Sequence, residues 1–499
     1  MAPLRTLCLA AILGAGTAAP AAGQVEPPVL PEVPEIPAGA DTGEGTASPP
    51  TGQAGPPILP DLQEFPAGAE GPEGDDSEGG AGRGGPFQFK VASTGFFTSY
   101  RDPVVPVGPP GPEWADRLDL RMYGHPSLSD RVGLLANLRL RTRFADGEDY
   151  ELDEDSHLDV QELAFDVKAT DWLNLEAGRI NIRSGVATGF NPTDWFKVDS
   201  LVVADTFDTM DRREDRLGTV VAQGIWHNDD LVLALGYRPE FDTEPDHWLT
   251  DGKVMGLGLD RTNADTAVFA KLTPLGSTNL STTFHLFYEP DQPGAGVELS
   301  MAVSETVVLF GEWSAQYRYN LVDESSRWTP LPDGVRRALG GSGHRSLQNQ
   351  LAVGATWSLP FDWVGNEDVT LTAEYHFNQA GLSAGELAEW FDAGRSGAAS
   401  PSALWAVRSN ASRRQEPLTE HQLFFRFAWT DLWDDADLSA IAFVSPQDGS
   451  ALIQADLDVD VLDALQLGVS TYVATGGNES VFGSQPSQFG AKLSLTYVF

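Results

Sequence analysis

The sequence predicts an all-β protein: a transmembrane antiparallel up-and-down β-barrel of about 18 strands, 16 to 18 being expected, behind a disordered Pro-rich N-terminal tail. Three observations predict it. Apolar residues recur with a period near two from Phe87 to the end, short links between these segments alternate with long ones, and the last strand ends on an aromatic residue.

The first residues have a short positive start at Arg5, an apolar stretch over 7–13 and small residues ending in Ala21, Ala22 and Gly23. They read as a secretory signal peptide, residues 1–23. Its only cysteine, Cys8, follows Leu7 rather than a small residue, which argues against a lipoprotein and leaves the mature chain without a thiol. After the signal no apolar run is long enough for a transmembrane helix. The net charge of -40 and pI near 4.3 argue against nucleic-acid binding, because phosphate backbones need a basic face.

Residues 24–86 are dominated by Pro, Gly, Ala and acids, a composition that cannot bury enough apolar surface to fold. Within them GQVEPPVLPEVPEIPAGADTGEG, from Gly23, is repeated as GQAGPPILPDLQEFPAGAEGPEG, from Gly52. Two readings stay open: a slipped repeat in a spacer, or an extended motif shown twice to a periplasmic partner.

Residues 87–499 are the barrel. Candidate strands fall at 87–100, 115–124, 131–144, 158–168, 172–183, 218–227, 230–238, 253–260, 265–273, 279–288, 294–303, 305–319, 347–358, 367–377, 420–429, 437–445, 449–460, 464–475 and 486–499. In RLDLRMY, Leu118, Leu120 and Met122 share a face; in HQLFFRFAW, Leu423, Phe425, Phe427 and Trp429 do. The best competing helix covers residues 384–393. Turn formers fill short links such as 227–230, 262–265 and 446–449, while long links cover 184–217, 319–346 and 378–419. Alternation alone would also fit a soluble sandwich. Segments of about nine to twelve residues suit a tilted membrane crossing better than soluble strands of about five or six.

The chain ends QFGAKLSLTYVF, with Phe489, Ala491, Leu493, Leu495, Tyr497 and Phe499 on one face. This resembles the final strand of Gram-negative outer-membrane barrels, and the resemblance implies that Tyr497 and Phe499 form the signal read by the barrel-assembly machinery. Outer-membrane location, contact with lipid and lipopolysaccharide, and a periplasmic tail follow as expectations.

If the apolar face meets lipid, the polar face lines the lumen, because Lys or Arg on the lipid side costs roughly 2 to 4 kcal/mol at the midplane. In NLRLRTRF, Asn137, Arg139, Arg141 and Arg143 then face inward, as do Arg117, Asp119 and Arg121 on the preceding strand. Lys168, Lys271, Arg318, Arg426 and Lys492 follow the same rule. Two readings stay open here as well. The arginines pair with inward acids such as Asp119, Asp159, Asp166, Glu176 and Glu312, stiffening the wall; or they form a positive ladder that draws anions.

A second candidate region is LEAGRINIRSGVATGFNPTDWFKVDS, from Leu175. Alternation slips at Gly178, so a bulge there brings Arg179 and Arg183 to the lumen and leaves Ile180 and Ile182 outward. Asn191, Pro192, Thr193 and Asp194 read as a helix start, with Asn191 as cap and Pro192 in the first turn. The segment runs on to Arg212, Arg213 and Arg216, mixed with acids. It is the candidate for a loop that folds in and narrows the barrel; the other reading is an extracellular loop held by neighbouring loops or by lipopolysaccharide. The string AGRINIRSGVATGFNPTDWF resembles motifs of porin-like families, and the arginine-lined lumen resembles alginate-export-type barrels.

No enzyme is expected. Neither Gly343-His344-Arg345-Ser346 nor His376-Phe377-Asn378 brings a matched nucleophile and orienting partner. No zinc-like spacing exists, the acidic stretch from Glu148 lacks the ordered ligands of a Ca²⁺ loop, and no cofactor is implied. The leading expectation is passive diffusion of small or medium anionic solutes. The alternatives are an exporter of an acidic polysaccharide, and a non-conducting barrel tethered through its tail. Oligomeric state is left open.

Overall fold

A computed structural model of the protein describes residues 86–106, 111–202, 205–241, 257–276, 279–359, 369–432 and 435–499. The signal segment and the repeated tail lie outside these residues. Eighteen long strands form the wall. They are β1 (Gln88–Tyr100), β2 (Trp114–Gly124), β3 (Val132–Ala145), β4 (Ser156–Thr170), β5 (Leu173–Ile180) and β6 (Thr219–His227). Then come β7 (Leu231–Arg238), β8 (Ala267–Pro274), β9 (Leu280–Glu289), β10 (Gln292–Ala302), β11 (Val307–Arg318) and β12 (Ser346–Leu359). The wall ends with β13 (Val369–Asn378), β14 (His421–Leu432), β15 (Ala436–Val444), β16 (Ala451–Leu462), β17 (Leu465–Thr475) and β18 (Ser487–Val498). A three-residue piece, Ser127–Ser129, also pairs with β3.

Each strand pairs antiparallel with the next, and β1 pairs with β18, so the sheet has no free edge. Closure is completed at the C-terminus. The Phe499 N–H donates to the Phe89 carbonyl at 2.9 Å, Phe89 returns the bond at 3.0 Å, and the two rings stack at 5.8 Å. The start of β1 and the end of β18 lie at one end, and the long links over 181–218, 319–345 and 379–420 lie at the other.

Period-two patterning becomes a two-faced wall. Phe165, Leu235, Leu286 and Leu493 are 52%, 54%, 63% and 56% exposed on the outer face, while Asp119, Arg139 and Glu312 are buried on the inner one. So broad an apolar exterior has no counterpart on a water-soluble monomer; it is the surface of a barrel that crosses a membrane.

The expected strand at 253–260 is not formed in its described part. Gly258 adopts a left-handed conformation with φ 57°, and Leu259–Thr262 is a short helix. The expected bulge at Gly178 is also absent. The β4–β5 register runs unbroken from Leu163↔Arg179 to Lys168↔Asn174, although φ at Gly178 is 138°. A Cβ at Gly178 would meet the backbone of Leu163 and Ala164, so glycine is needed for close strand approach. The extra residue in β4 sits instead opposite Asn137 and Leu138. Ile180 and Ile182, expected on the lipid side, are buried against Phe196, Phe269 and Phe287, because the loop's Phe196 and the inward Phe269 of β8 and Phe287 of β9 supply apolar partners inside the barrel.

At the long-loop end the links pack on one another. Helices Ala384–Ser396 and Pro401–Arg413 and the short helix Leu321–Ser325 share a core of Trp390, Phe391, Leu404, Leu321 and Val105. Ser383 and Glu386 form a reciprocal capping box for the first helix, and Ser400 with Pro401 starts the second.

Leu493 provides the stability test of the two-faced wall. Leu493→Arg should lower unfolding free energy by about 2 to 4 kcal/mol in urea titrations in lipid vesicles. The same change at Ser494, on the inner face, should cost well under half as much.

Candidate functional site

The link between β5 and β6 folds into the barrel instead of standing above it. Its residues Ala187, Phe190, Thr193, Asp194, Lys197 and Ser200 are buried; the first three meet the inward Glu312, His376 and Glu298 of the wall, and the last three are partnered within the loop. An isolated bridge between Leu201 and Arg216 ties the base of this loop. Within it, Asp208 caps the helix Thr209–Glu214 by accepting from the Met210 N–H at 2.8 Å.

On one side the loop meets the arginine row. Arg117 contacts Asp119 at 2.6 Å and the loop's Asp205 at 3.0 Å. Arg139 contacts Asp119 at 2.8 Å and the loop's Asp215 at 2.9 Å. Arg121 contacts Asp215 at 3.2 Å and donates to Asn137 at 3.0 Å. Arg141 contacts Asp159 at 2.6 Å, and half-exposed Arg143 reaches Glu148 at 3.8 Å. The register explains the crowding: Arg117 faces Arg143, Asp119 faces Arg141, and Arg121 faces Arg139 across the β2–β3 ladder. Like charges opposite one another need acids between them, and the wall and the loop each supply some. Burial alone would raise the Asp215 carboxyl, but Arg139 and Arg121 hold it below the ordinary carboxylate range.

On another side the loop backbone is held by three glutamates. Gly185 N–H donates to Glu298 at 2.8 Å, and Ala187 N–H donates to Glu312 at 2.7 Å. Thr188 and Gly189 N–H donate to Glu374 at 2.6 and 2.9 Å. Gly185, with φ 101°, lies so close to Glu312 and Asn191 that no Cβ fits. Trp195 stacks on Phe287 at 5.2 Å, and Phe196 meets Phe269 edge-on at 5.0 Å.

Asn191 is not a helix cap. Its amide donates to Glu312 at 3.2 Å and to the Ala187 carbonyl, so the side chain is unavailable to the helix start. A turn through Pro192 closes with the Asp194 N–H on the Asn191 carbonyl at 3.3 Å, and a 3-10 turn Trp195–Lys197 follows. Asp194 is fully buried and pairs with Arg216 at 2.5 Å. Arg212 donates to the Thr206 carbonyl at 2.7 Å and lies over the Phe207 ring, and Arg213 donates to the Ser184 carbonyl at 3.2 Å.

Arg179 departs from its expected place at the lumen. It pairs in register with outward Leu163 and is buried against the Gly218 and Leu257 carbonyls, since no bulge turns it inward. Arg183 is exposed, and its carbonyl accepts from Lys271 at 3.1 Å.

The loop is also tied to its neighbours at the long-loop end. Arg413 forks onto Asp199 at 2.5 and 2.7 Å, and Arg216 donates to Gln415 at 2.9 Å. Close by, Glu416 contacts Arg318 at 2.8 Å and Arg414 at 3.0 Å. Among the described residues, no group of three or more His, Cys, Asp or Glu side chains is arranged to hold a metal ion.

Sequence reading missed Glu298, Glu374, His285 and His376 as partners of the loop. The available signal was inward acids on β10 and β13 facing the glycine-rich stretch SGVATGF, whose backbone N–H groups need acceptors once buried.

Neither a family model nor a curated protein matches the sequence. Solved barrels similar to the chain include Pseudomonas aeruginosa OccK5 (OpdH), at 11% identity and a TM-score of 0.45 over 83% of this chain and 97% of that one. Pseudomonas aeruginosa OpdK, solved with vanillate, gives 10% identity and 0.42 over 83% and 98%. Acinetobacter baumannii OccAB2 gives 11% and 0.41 over 83% and 98%.

Glu416 gives a pH-dependent test of the loop packing. Burial opposes its charge, yet Arg318 and Arg414 hold its carboxyl down at about 2, whereas in the unfolded chain it protonates near about 4.3. The contribution is therefore present above the unfolded value and fades as pH falls through the folded one. Glu416→Gln should weaken hydrogen-exchange protection of residues 379–420 at neutral pH, by roughly 3 to 5 kcal/mol for a broken buried pair, and change little near pH 2.

Proposed function

We propose that the protein is an outer-membrane, porin-like channel through which small or medium solutes diffuse passively, with the loop over 184–217 as its constriction. The observation that carries this reading is the loop itself. It crosses the interior and is fastened by ion pairs to β2 and β3 and by backbone hydrogen bonds to β10, β11 and β13.

We further propose an anionic cargo, on narrower grounds than a bare arginine ladder. Arg117, Arg121, Arg139 and Arg141 each have a carboxylate within 3.2 Å, so most of their charge is neutralised locally. Attraction for an anion falls instead to exposed Arg183, half-exposed Arg143, and Lys90 and Lys492 on the inner face of β1 and β18. Asp456, Asp458 and Asp460, in a row along β16, act in the opposite sense. Selectivity is set by which group borders the narrowest passage.

Planar-bilayer recording tests both parts. The wild type should conduct with anion preference, and replacing Arg183, Lys90 and Lys492 by neutral residues should shift the reversal potential toward cations. Arg139→Gln, which removes one of the two arginine partners of Asp215, should raise conductance and current noise more than it changes selectivity. Cation preference in the wild type would overturn the anionic cargo, and a barrel that never conducts would favour the tethering role.

A further inference from the structure

Glu298 on β10 and Glu312 on β11 stand directly opposite each other in the register, and both are buried. Two carboxylates so placed repel strongly unless one holds a proton or a cation lies between them.

The cations around them also bind backbone carbonyls of the loop. From β8, Lys271 donates to the Arg183 carbonyl at 3.1 Å. From the loop, Lys197 donates to the Asn191 carbonyl at 2.6 Å, and Arg213 to the Ser184 carbonyl at 3.2 Å. From β13, His376 lies 2.7 Å from Glu374, a separate pair. From β9, His285 meets one of the two acids, with Nε2 2.8 Å from Glu298 Oε1.

The hydrogen-bond arithmetic then singles out Glu312. Thr193 Oγ1 lies 2.7 Å from Glu298 Oε1 and 3.2 Å from Glu312 Oε2. A hydroxyl has one proton to give, and the shorter contact takes it. For the second contact to be a hydrogen bond, Glu312 Oε2 must be the donor. The other oxygen, Oε1, accepts from the Ala187 N–H at 2.7 Å and the Asn191 amide at 3.2 Å, as the carbonyl oxygen of an acid does. The remaining N–H, from Thr193, reaches Oε2 only at 3.4 Å.

We propose that Glu298 and Glu312 share one proton, carried on Glu312 and relayed through Thr193, and that this proton locks residues 185–193 against the wall. Glu298 and Glu312 are positioning residues for the loop. An effect of the lock on conductance rests on the channel reading; the proton and the lock do not. Loss of the proton leaves two charged carboxylates on one ladder step with a single hydroxyl between them, and the loop loosens.

The test uses the full chain refolded in lipid vesicles. Infrared spectra should contain the carbonyl band of a buried carboxylic acid at about pH 6 that disappears on alkaline titration. Hydrogen exchange of the peptide over 185–193, corrected for intrinsic rates, should lose protection by roughly tenfold per pH unit above that titration, the slope for one released proton. Glu312→Gln keeps a donor toward Thr193 and an acceptor toward Ala187, so it should lack the band and retain its protection up to about pH 10. A wild type without the band, protection that ignores pH, or a Glu312→Gln variant that loosens like the wild type would each overturn the proposal. Should that variant fail to assemble, Thr193→Val decides: it removes the acceptor of the Glu312 proton and must shift the band. A barrel that does not conduct would sink the channel reading and leave these readouts untouched.

Discussion

An outer face that meets hydrocarbon drives the charged side chains of the wall inward, with Asp116 and Arg179 as exceptions, and the rest of this structure depends on that constraint. Along β2 and β3 it brings Arg117, Arg121, Arg139, Arg141 and Arg143 onto one narrow strip, with arginines opposite arginines in two of the three facing pairs there. Along β10 and β11 it sets Glu298 against Glu312. Neither strip is stable alone. Each needs partners of opposite charge or hydrogen-bond donors, and these come from Asp119 and Asp159 of the wall and from the loop that follows β5.

The loop is therefore a structural answer to the wall as much as a device for passage. Asp205 and Asp215 neutralise the arginine strip, while the N–H groups of Gly185, Ala187, Thr188 and Gly189 satisfy the glutamates. A helix or strand could not present successive N–H groups in this way, because its own ladder would consume them. Irregular, glycine-rich backbone can, and it is tolerated at membrane depth only when buried in protein or facing water. The price of this arrangement is that arginines read from sequence as a selectivity element are largely occupied.

The wall was legible because its cause is local. Period-two alternation follows from lipid on one side, so nineteen expected segments yielded eighteen strands, the exception being a glycine-broken stretch whose described part turns into a short helix at Leu259–Thr262. The helix Ala384–Ser396 was visible in its pattern, whereas Pro401–Arg413 was missed although Ser400 and Pro401 mark its start. The interior was less legible because its determinants are non-local. Ile180 and Ile182 look lipid-facing until Phe196, Phe269 and Phe287 supply an apolar pocket inside the barrel. Arg179 looks like a lumen residue until the unbroken register at Gly178 keeps it beside Leu163. Asn191 looks like a helix cap until Glu312, more than a hundred residues away, takes its amide.

The same loop also links the inside of the barrel to its outer end. Asp199 and Gln415 both hold left-handed backbone, at φ 57° and 51°, which non-glycine residues adopt at a cost of about 1 kcal/mol or more. Both lie at the junction, where Asp199 takes the fork of Arg413 and Gln415 bridges Arg216 and the Lys197 carbonyl. Strain of this kind persists only where surrounding contacts over-determine the conformation, and here those contacts join two loops that are otherwise distant in sequence. Arg413 belongs to the helix Pro401–Arg413, whose Leu404 and Val407 sit in the core shared with Leu321 and Trp390. A shift of that outer core would be transmitted through Arg413 to Asp199, and so to the segment that ends at Asp215 against Arg139. The position of the loop inside the barrel is consequently fixed from three directions: the arginine strip, the glutamates, and the packed loops at the outer end.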